Sequence, residues 1–361
     1  MTSTLPSTPL SRAATLPSRY YIDPDVLEAE KERIFGRTWQ LVARTDELQR
    51  IGDFVPVTVL DEPVVITHAQ DGQLKAFYNV CRHRAGQVAL TRGNRKSLQC
   101  RYHGWTYGLD GCLRAAPEMD ATEDFRKEDF GLIPVRVETW GPFVFVNLDA
   151  SAPPLAEMMG GIPGEVARAG YDVDKMRLVE RRDYVIECNW KVYVDNYLEG
   201  YHVPHIHPGL NKLLDYRSYV TETAAWYSYQ YSPLVRADES GGDALYGEGD
   251  ALYYWLWPNT MLNILPGRLQ TNRVVPKGVD RCRVEFDFYY ALDESEAAAQ
   301  RRLADLSFSD EVQVEDLTIC EDVQRGLSSG SYEPGRLNPL RENAVHHFHE
   351  LLRRVYREAG Q

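Results

Sequence analysis

The sequence predicts an α+β protein in two parts. The first is an N-terminal antiparallel β-domain, and the second is a C-terminal antiparallel sheet with helices on one side. Three observations carry the prediction. Residues 39–147 hold short β segments separated by turn residues. Farther on, aromatic residues alternate along strand-like runs, as in Tyr227, Tyr229 and Tyr231 and again in Tyr253, Trp255 and Trp257. Residues 294–306, 310–326 and 340–356 then read as helices. A length of 361 residues suits one large or two ordinary domains. The expected division is a tail and helix over 1–38, a β-domain over 39–150 and an α+β domain over 151–361. Ser151-Ala152-Pro153-Pro154 is the linker.

Each element has a local cause. A helix over 24–36 opens with Asp23 as N-cap and Pro24 in its first position, buries Leu27 and Ile34 on one face, and stops at Gly36. Strands follow at 54–59, 64–67 and 74–78, with Asp71-Gly72 as a hairpin turn. Asp110-Gly111 turns the chain after Trp105-Thr106-Tyr107, and strands at 134–139 and 143–146 flank Gly141-Pro142. A β segment over 184–188 leads into a helix, and 269–275 and 283–292 read as further strands.

Composition excludes several functions. Apolar content is 43 %, and no apolar run approaches the roughly 20 residues of a membrane span. The net charge of −13 argues against nucleic acid and anionic membrane as partners. Of six cysteines only Cys81 and Cys100 have ligand-like neighbours, which suits a reducing cytoplasm. The first 18 residues lack the apolar core of a secretory signal; of the two readings left, a transit peptide and a frayed terminus, the second is preferred.

Chemistry concentrates in two places. Residues 189–207 place Trp190, Tyr193, Tyr197 and Tyr201 on one helical face and Asp195, Glu199 and His202 on another. Pro204 is expected to break that helix. Three histidines, His202, His205 and His207, lie within six residues. Imidazole with carboxylate suits iron in a two-histidine, one-carboxylate triad, and zinc would accept the same ligands. Upstream stands Cys81-Arg82-His83, then sixteen residues, then Cys100-Arg101-Tyr102-His103-Gly104-Trp105. Each loop offers one thiolate and one imidazole. A zinc finger usually groups its cysteines together, whereas a Rieske [2Fe–2S] centre needs one Cys and one His from each loop to span two irons.

That spacing closely resembles the Rieske signature, and the chain from about residue 19 to 356 resembles the α-subunit of Rieske non-haem iron oxygenases. The resemblance implies a Rieske domain over 39–150 and a helix-grip catalytic domain over 151–361. It implies Cys81, His83, Cys100 and His103 as cluster ligands. His202 and His207 match the histidines of a mononuclear Fe(II), with His205 left beside the site. Asp316 matches the third ligand, although composition alone does not separate it from Glu315 or Asp322. The remaining acids of that segment, Glu315 included, read as a solvated face. Glu199 matches an acid that bridges the iron to a neighbouring subunit's cluster, and Asn196 lies at a position often filled by Asn. The family works as a head-to-tail homotrimer with O₂ as co-substrate. This chain has no glycine-rich nucleotide fingerprint, so NAD(P)H is expected on a separate flavin or ferredoxin-type reductase.

The run Asp195-Asn196-Tyr197-Leu198-Glu199-Gly200-Tyr201-His202-Val203-Pro204 most resembles the group acting on choline, carnitine and betaines. The resemblance implies hydroxylation or N-demethylation of a quaternary or N-methylated amine. Trp226, Tyr229, Tyr253, Trp255 and Trp257 are candidates for an aromatic cage around its cation, with His205 as a further pocket candidate. One alternative is hydroxylation or O-demethylation of an aromatic acid held by Arg268, Arg273 or Arg236. Another is a Rieske or zinc-binding protein without oxygen chemistry.

Overall fold

The structure is a computed structural model and describes residues 7–235, 245–246 and 249–359. The chain divides into two compact units, one over Lys31–Glu157 and one that joins the residues up to Glu30 with those from Met158 onward. Both are built on antiparallel sheets, and the second adds long helices, the α+β arrangement that the sequence predicts.

The first unit holds β1 (Gln40–Arg44), β2 (Asp53–Val59), β3 (Glu62–His68), β4 (Leu74–Tyr78), β5 (Gly93–Asn94), β6 (Ser97–Gln99), β7 (Thr106–Gly108), β8 (Leu113–Ala115), β9 (Pro134–Trp140) and β10 (Phe143–Asn147). Seven of them form one sheet in the order β1-β10-β9-β4-β3-β2-β5, and β6-β7-β8 form a second. One apolar cluster, including Val55, Val64, Ile66, Val135 and Val144, fills the large sheet. A separate cluster of Phe77, Leu98, Trp105, Tyr107 and Leu113 lies under the cysteine-bearing loops. Both cysteines are therefore buried while the loop tips stay in solvent.

The second unit is one seven-stranded antiparallel sheet. Its strands are β11 (Met176–Ile186), β12 (Val220–Thr223), β13 (Tyr227–Pro233), β14 (Asp250–Leu256), β15 (Thr260–Leu265), β16 (Arg268–Gly278) and β17 (Arg281–Ala291). Their order is β11-β17-β16-β15-β14-β13-β12. The helices used below are α1 (Trp190–Tyr197), α2 (Val203–Ile206), α3 (Pro208–Leu213), α4 (Glu296–Ser328) and α5 (Asn343–Ala359). Asn189 caps α1 by accepting from the Lys191 N–H at 3.0 Å. The base of α1 is held by a fully buried ion pair, Lys191 Nζ to Glu30 Oε1 at 2.6 Å, which Tyr356 O–H also joins.

Two local expectations need correction. The helix that starts at Trp190 ends at Tyr197, not near Tyr201, and Pro204 sits in the first turn of α2 instead of ending a helix. Proline suits that place because its missing N–H would go unpaired there anyway. The two helices expected over 294–306 and 310–326 are one helix of 33 residues. Ser309 does not break it because its hydroxyl is buried against Gln270 at 3.5 Å, so packing overrides a weak local preference.

The inward face of α4 is polar. Asp305, Ser309, Gln313, Cys320, Gln324 and Leu327 are buried, and Asp316 falls in the same row. Steps of four, four, three, four, four and three keep this row on one side of a helix. It runs along the functional site.

Candidate active site and metal centres

The two cysteine-bearing loops share one backbone pattern. Cys81 N–H donates to the Gly86 carbonyl and Ala85 N–H returns to the Cys81 carbonyl. Cys100 N–H donates to the Trp105 carbonyl and Gly104 N–H returns to the Cys100 carbonyl. Ala85 and Gly104 take the same left-handed conformation, with φ of 59° and 74°. Two matching turns thus present one buried thiol and one exposed imidazole each. The His83 and His103 rings lie 4.6 Å apart, and His83 stacks on Trp105 at 4.9 Å. Burial foremost pushes the Cys100 thiol up, with Cys81 beside it adding to the shift, so holding Cys100 as a thiolate calls for a cation. Tyr107 stands at the buried end, its hydroxyl 3.3 Å from Cys81 Sγ.

The second centre is local at one end and remote at the other. After α1 the chain loops through Gly200, where a Cβ would meet the Tyr219 ring at 2.8 Å. Glu199 ties the loop together. Its Oε2 accepts from the N–H groups of Tyr201 and His202, and its Oε1 lies 2.7 Å from His202 Nδ1. His202 Nε2 is left facing inward, 3.9 Å from Asp316 Oδ1. His207, between α2 and α3, is 1 % exposed. Its Nε2 lies 3.1 Å from Asp316 Oδ1 and its Nδ1 lies 2.7 Å from Glu315 Oε2. Asn196 donates to Asp316 Oδ1 at 2.6 Å.

Among the described residues, His202, His207 and Asp316 alone bring three metal-ligating atoms within 4.8 Å of one another. Ligands at about 2.1 Å on three adjacent positions of one ion lie roughly 3 Å apart, so small adjustments would let these three atoms share one ion. Burial opposes charge on His207, but its bonds to Asp316 and Glu315 outweigh that and hold its pKa above the ordinary imidazole value. The seat favours positive charge, proton or metal ion. Glu315, expected on a solvated face, is instead the carboxylate behind the His207 imidazole. Its place beside Asp316 was the available sign.

Beside the triad lies a cavity of about 830 Å³, counting its open mouth. Asn196, Glu199, His202, His207 and Asp316 line it, with Tyr197, Tyr219, Tyr246, Tyr253, Phe286 and Phe308 supplying aromatic faces. Polar side chains form its floor: Gln230 pairs in register with Tyr253 across β13 and β14, and Asn263 with Gln270 across β15 and β16.

Of the six pocket candidates drawn from the sequence, Tyr253 lines this cavity. Tyr229 points to the other face of β13 and stacks on Tyr254 at 5.0 Å. Trp255 is fully buried against Phe348 of α5, and Trp257 packs on the same ring. Trp226 precedes β13, and His205 is exposed on α2. Sheet alternation put these aromatic residues on common faces, but α5 covers the end that Trp255 occupies. The anchors for an aromatic acid are also placed. Arg268 lines the cavity but pairs with Asp305 at 2.6 Å, Arg273 binds Glu285 at 2.9 Å, and Arg236 lies outside the described residues.

The chain matches the Rieske [2Fe-2S] domain over residues 38–127 and the ring hydroxylating alpha subunit catalytic domain over residues 173–358. It is 38 % identical to the chloroplastic choline monooxygenase of Arabidopsis thaliana, over 96 % of this chain and 84 % of that one. It is 33 % identical to the carnitine monooxygenase oxygenase subunit of Escherichia coli K12, over 96 % of this chain and 95 % of that one. The crystal structure of the quaternary ammonium Rieske monooxygenase CntA with L-carnitine superposes with a TM-score of 0.84 at 30 % identity, covering 98 % of this chain and 99 % of that one.

Fold, loop pattern and these matches together define an O₂-using oxidoreductase. The chain belongs to the Rieske non-haem iron oxygenases as an α-subunit, and is related to the choline and carnitine monooxygenases. Membership implies the [2Fe–2S] cluster and a mononuclear iron, and it retires the reading of a zinc-binding protein without oxygen chemistry. The carnitine relative's name, an oxygenase subunit, implies a separate reductase. Among the described residues no helix is long and apolar enough to cross a membrane.

Proposed function

We propose that this chain is the oxygenase component of a monooxygenase that hydroxylates or N-demethylates a quaternary or N-methylated amine. The observation that carries the reading is a metal triad opening onto an aromatic, amide-floored cavity whose Arg268 is already neutralised by Asp305. Such a cavity suits a cation on tyrosine faces, each contact contributing about 0.5–2 kcal/mol. It suits an aromatic carboxylate less, because that would compete with Asp305 for the guanidinium.

Roles follow from the geometry. Cys81 and Cys100 would hold one iron of the cluster, and His83 and His103 the other. His202, His207 and Asp316 would hold the mononuclear iron, which when bound supplies O₂ activation. Glu199 and Glu315 accept from the Nδ1–H of His202 and His207, fixing each ring with Nε2 toward the seat. Asn196 steadies Asp316. The reaction consumes O₂, two electrons and two protons, and yields a hydroxylated carbon and water. A hydroxylated N-methyl group then leaves as formaldehyde: its C–N bond breaks with the electron pair going to nitrogen, the hydroxyl gives up its proton, and the demethylated amine remains.

The electrons come from NAD(P)H through a flavin or ferredoxin-type reductase. In a head-to-tail homotrimer they pass from His83 or His103 of one subunit to Glu199 of the next. All six cysteines are free, in keeping with a reducing, cytoplasmic setting.

The test is a substrate screen on anaerobically reconstituted protein with a surrogate reductase. It reads NADH-coupled O₂ uptake and formaldehyde with choline, L-carnitine, glycine betaine and aromatic acids. Coupled uptake with an aromatic acid and none with the amines would sink the reading. Glu199→Gln is expected to keep both metal centres and lose most turnover, and a variant working at the wild-type rate removes Glu199 from the electron path.

A further inference from the structure

We propose that Gln313 reads an oxygen atom on the substrate, by donating a hydrogen bond to it from Nε2. The inference rests on the quaternary ammonium reading above and adds the chemical feature that the site selects.

Gln313 is 1 % exposed and lines the cavity. It stands three residues before Asp316, so its side chain shares that face of α4 about 4.5 Å along the axis from the metal ligand. Tyr193 O–H donates to Gln313 Oε1 at 2.7 Å. With its oxygen engaged, the amide must present its NH₂ elsewhere, and Nε2 is buried without a partner. A buried donor left unmade is unfavourable, so a group missing from the protein itself is expected to meet it.

A second observation is independent. Arg268 also lines the cavity, and its Nε is another buried donor without a partner. Its Nη1 is held by Asp305 at 2.6 Å and by Tyr246 at 3.0 Å, and its Nη2 by Gln270. Asp305 has offset its charge, and what remains is a donor. Two unpartnered donors on residues that line one cavity call for an acceptor oxygen. Because neither brings free positive charge, a hydroxyl suits them better than a carboxylate. The substrate class is therefore a hydroxylated quaternary ammonium compound. Its methyl groups would meet the tyrosine faces and its hydroxyl would meet Gln313.

The experiment uses reconstituted holoenzyme and two matched pairs, choline with ethyltrimethylammonium and L-carnitine with γ-butyrobetaine. Each pair differs by one hydroxyl. Dissociation constants from calorimetry and kcat/KM from O₂ uptake are compared for wild type and Gln313→Met. Wild type is expected to favour the hydroxylated member of the pair it binds by about tenfold or more, the scale of one buried hydrogen bond. In the Met variant the preference falls to within about twofold while the deoxy compound binds as before. Iron, sulfide and the Rieske spectrum are expected to be unchanged. If Gln313→Met fails to fold, Tyr193→Phe frees the amide to turn and is expected to cut the preference about threefold. A preference that survives either folded variant undiminished overturns the proposal, Nε2 then meeting only water. Binding by wild type without a hydroxyl preference also overturns it and leaves the functional reading standing. If no quaternary ammonium compound binds to wild type, both fall.

Discussion

Replacing Tyr107 with Phe removes one hydroxyl from beside Cys81 and is expected to lower the reduction potential of the cluster. The Tyr107 oxygen lies 3.3 Å from Cys81 Sγ, and the Arg82 N–H donates to the same oxygen at 3.0 Å. One lone pair is thus taken, and the phenolic proton is left for the sulfur. Burial first, and the Cys81 sulfur next, push the phenol pKa upward, so the proton stays in place at any working pH. With a cluster held by Cys81, reduction would make that sulfur more negative, so this bond would strengthen in the reduced state. A neutral hydrogen bond contributes about 1 kcal/mol and one to a charged group about 1.5–3 kcal/mol. A difference of about 1 kcal/mol for one electron corresponds to roughly 40 mV, since about 59 mV is a tenfold change. Tyr107 is fully buried, and the substitution keeps its ring and its packing under the loops. Spectroelectrochemical titration of both proteins at matched iron and sulfide content reads the shift. A variant potential equal to or above that of wild type would refute the assignment of that proton to sulfur.

Other consequences are equally direct. Glu315→Gln removes the charge behind His207 Nδ1 and is expected to weaken iron binding about 10- to 100-fold, read by anaerobic chelator competition with the Rieske absorbance as internal control. Unchanged iron affinity would make the contact incidental. Lys191→Met strands the buried Glu30 carboxylate and is expected to cost about 3–5 kcal/mol in urea unfolding, with much of it recovered in the double variant with Glu30→Leu. Additive effects of the two substitutions would contradict the pairing. Burial first, then His346 and Arg354, hold the His347 pKa below its usual value near 6.5. The unfolded chain therefore binds the proton first as pH falls. The stability linked to His347 is complete above about 6.5 and is lost as pH drops through the lowered folded value. His347→Phe is expected to flatten thermal stability between pH 7.5 and 5.5, and an unaltered slope would assign the loss to other groups.

Legibility in the sequence tracked how local each feature is. Each cysteine-bearing loop closes within six residues, so spacing alone exposes it. His202 and His207 are nearly as close together, but Asp316 is remote, and residue type could not separate it from Glu315. Both acids in fact serve His207, one at each ring nitrogen. The cavity was the least readable part. Cross-strand register decides that Gln230 meets Tyr253 and that Asn263 meets Gln270, and register cannot be read from alternation within one strand. Tyr197, Tyr246 and Phe308 reach the same space from three separate segments. The continuity of α4 was also hidden, because its inward row is polar where a periodicity reading looks for apolar residues.

That row makes α4 a ruler as well as a wall. Asp305 at one end neutralises Arg268, and Asp316, eleven residues on, offers its carboxylate to two imidazoles. Inserting or deleting one residue between them would swing everything beyond by about 100° around the axis. Either the guanidinium or the two imidazoles would then lose their carboxylate. Descendants of this chain can trade side chains along the interval with some freedom, but they have little room to change its length.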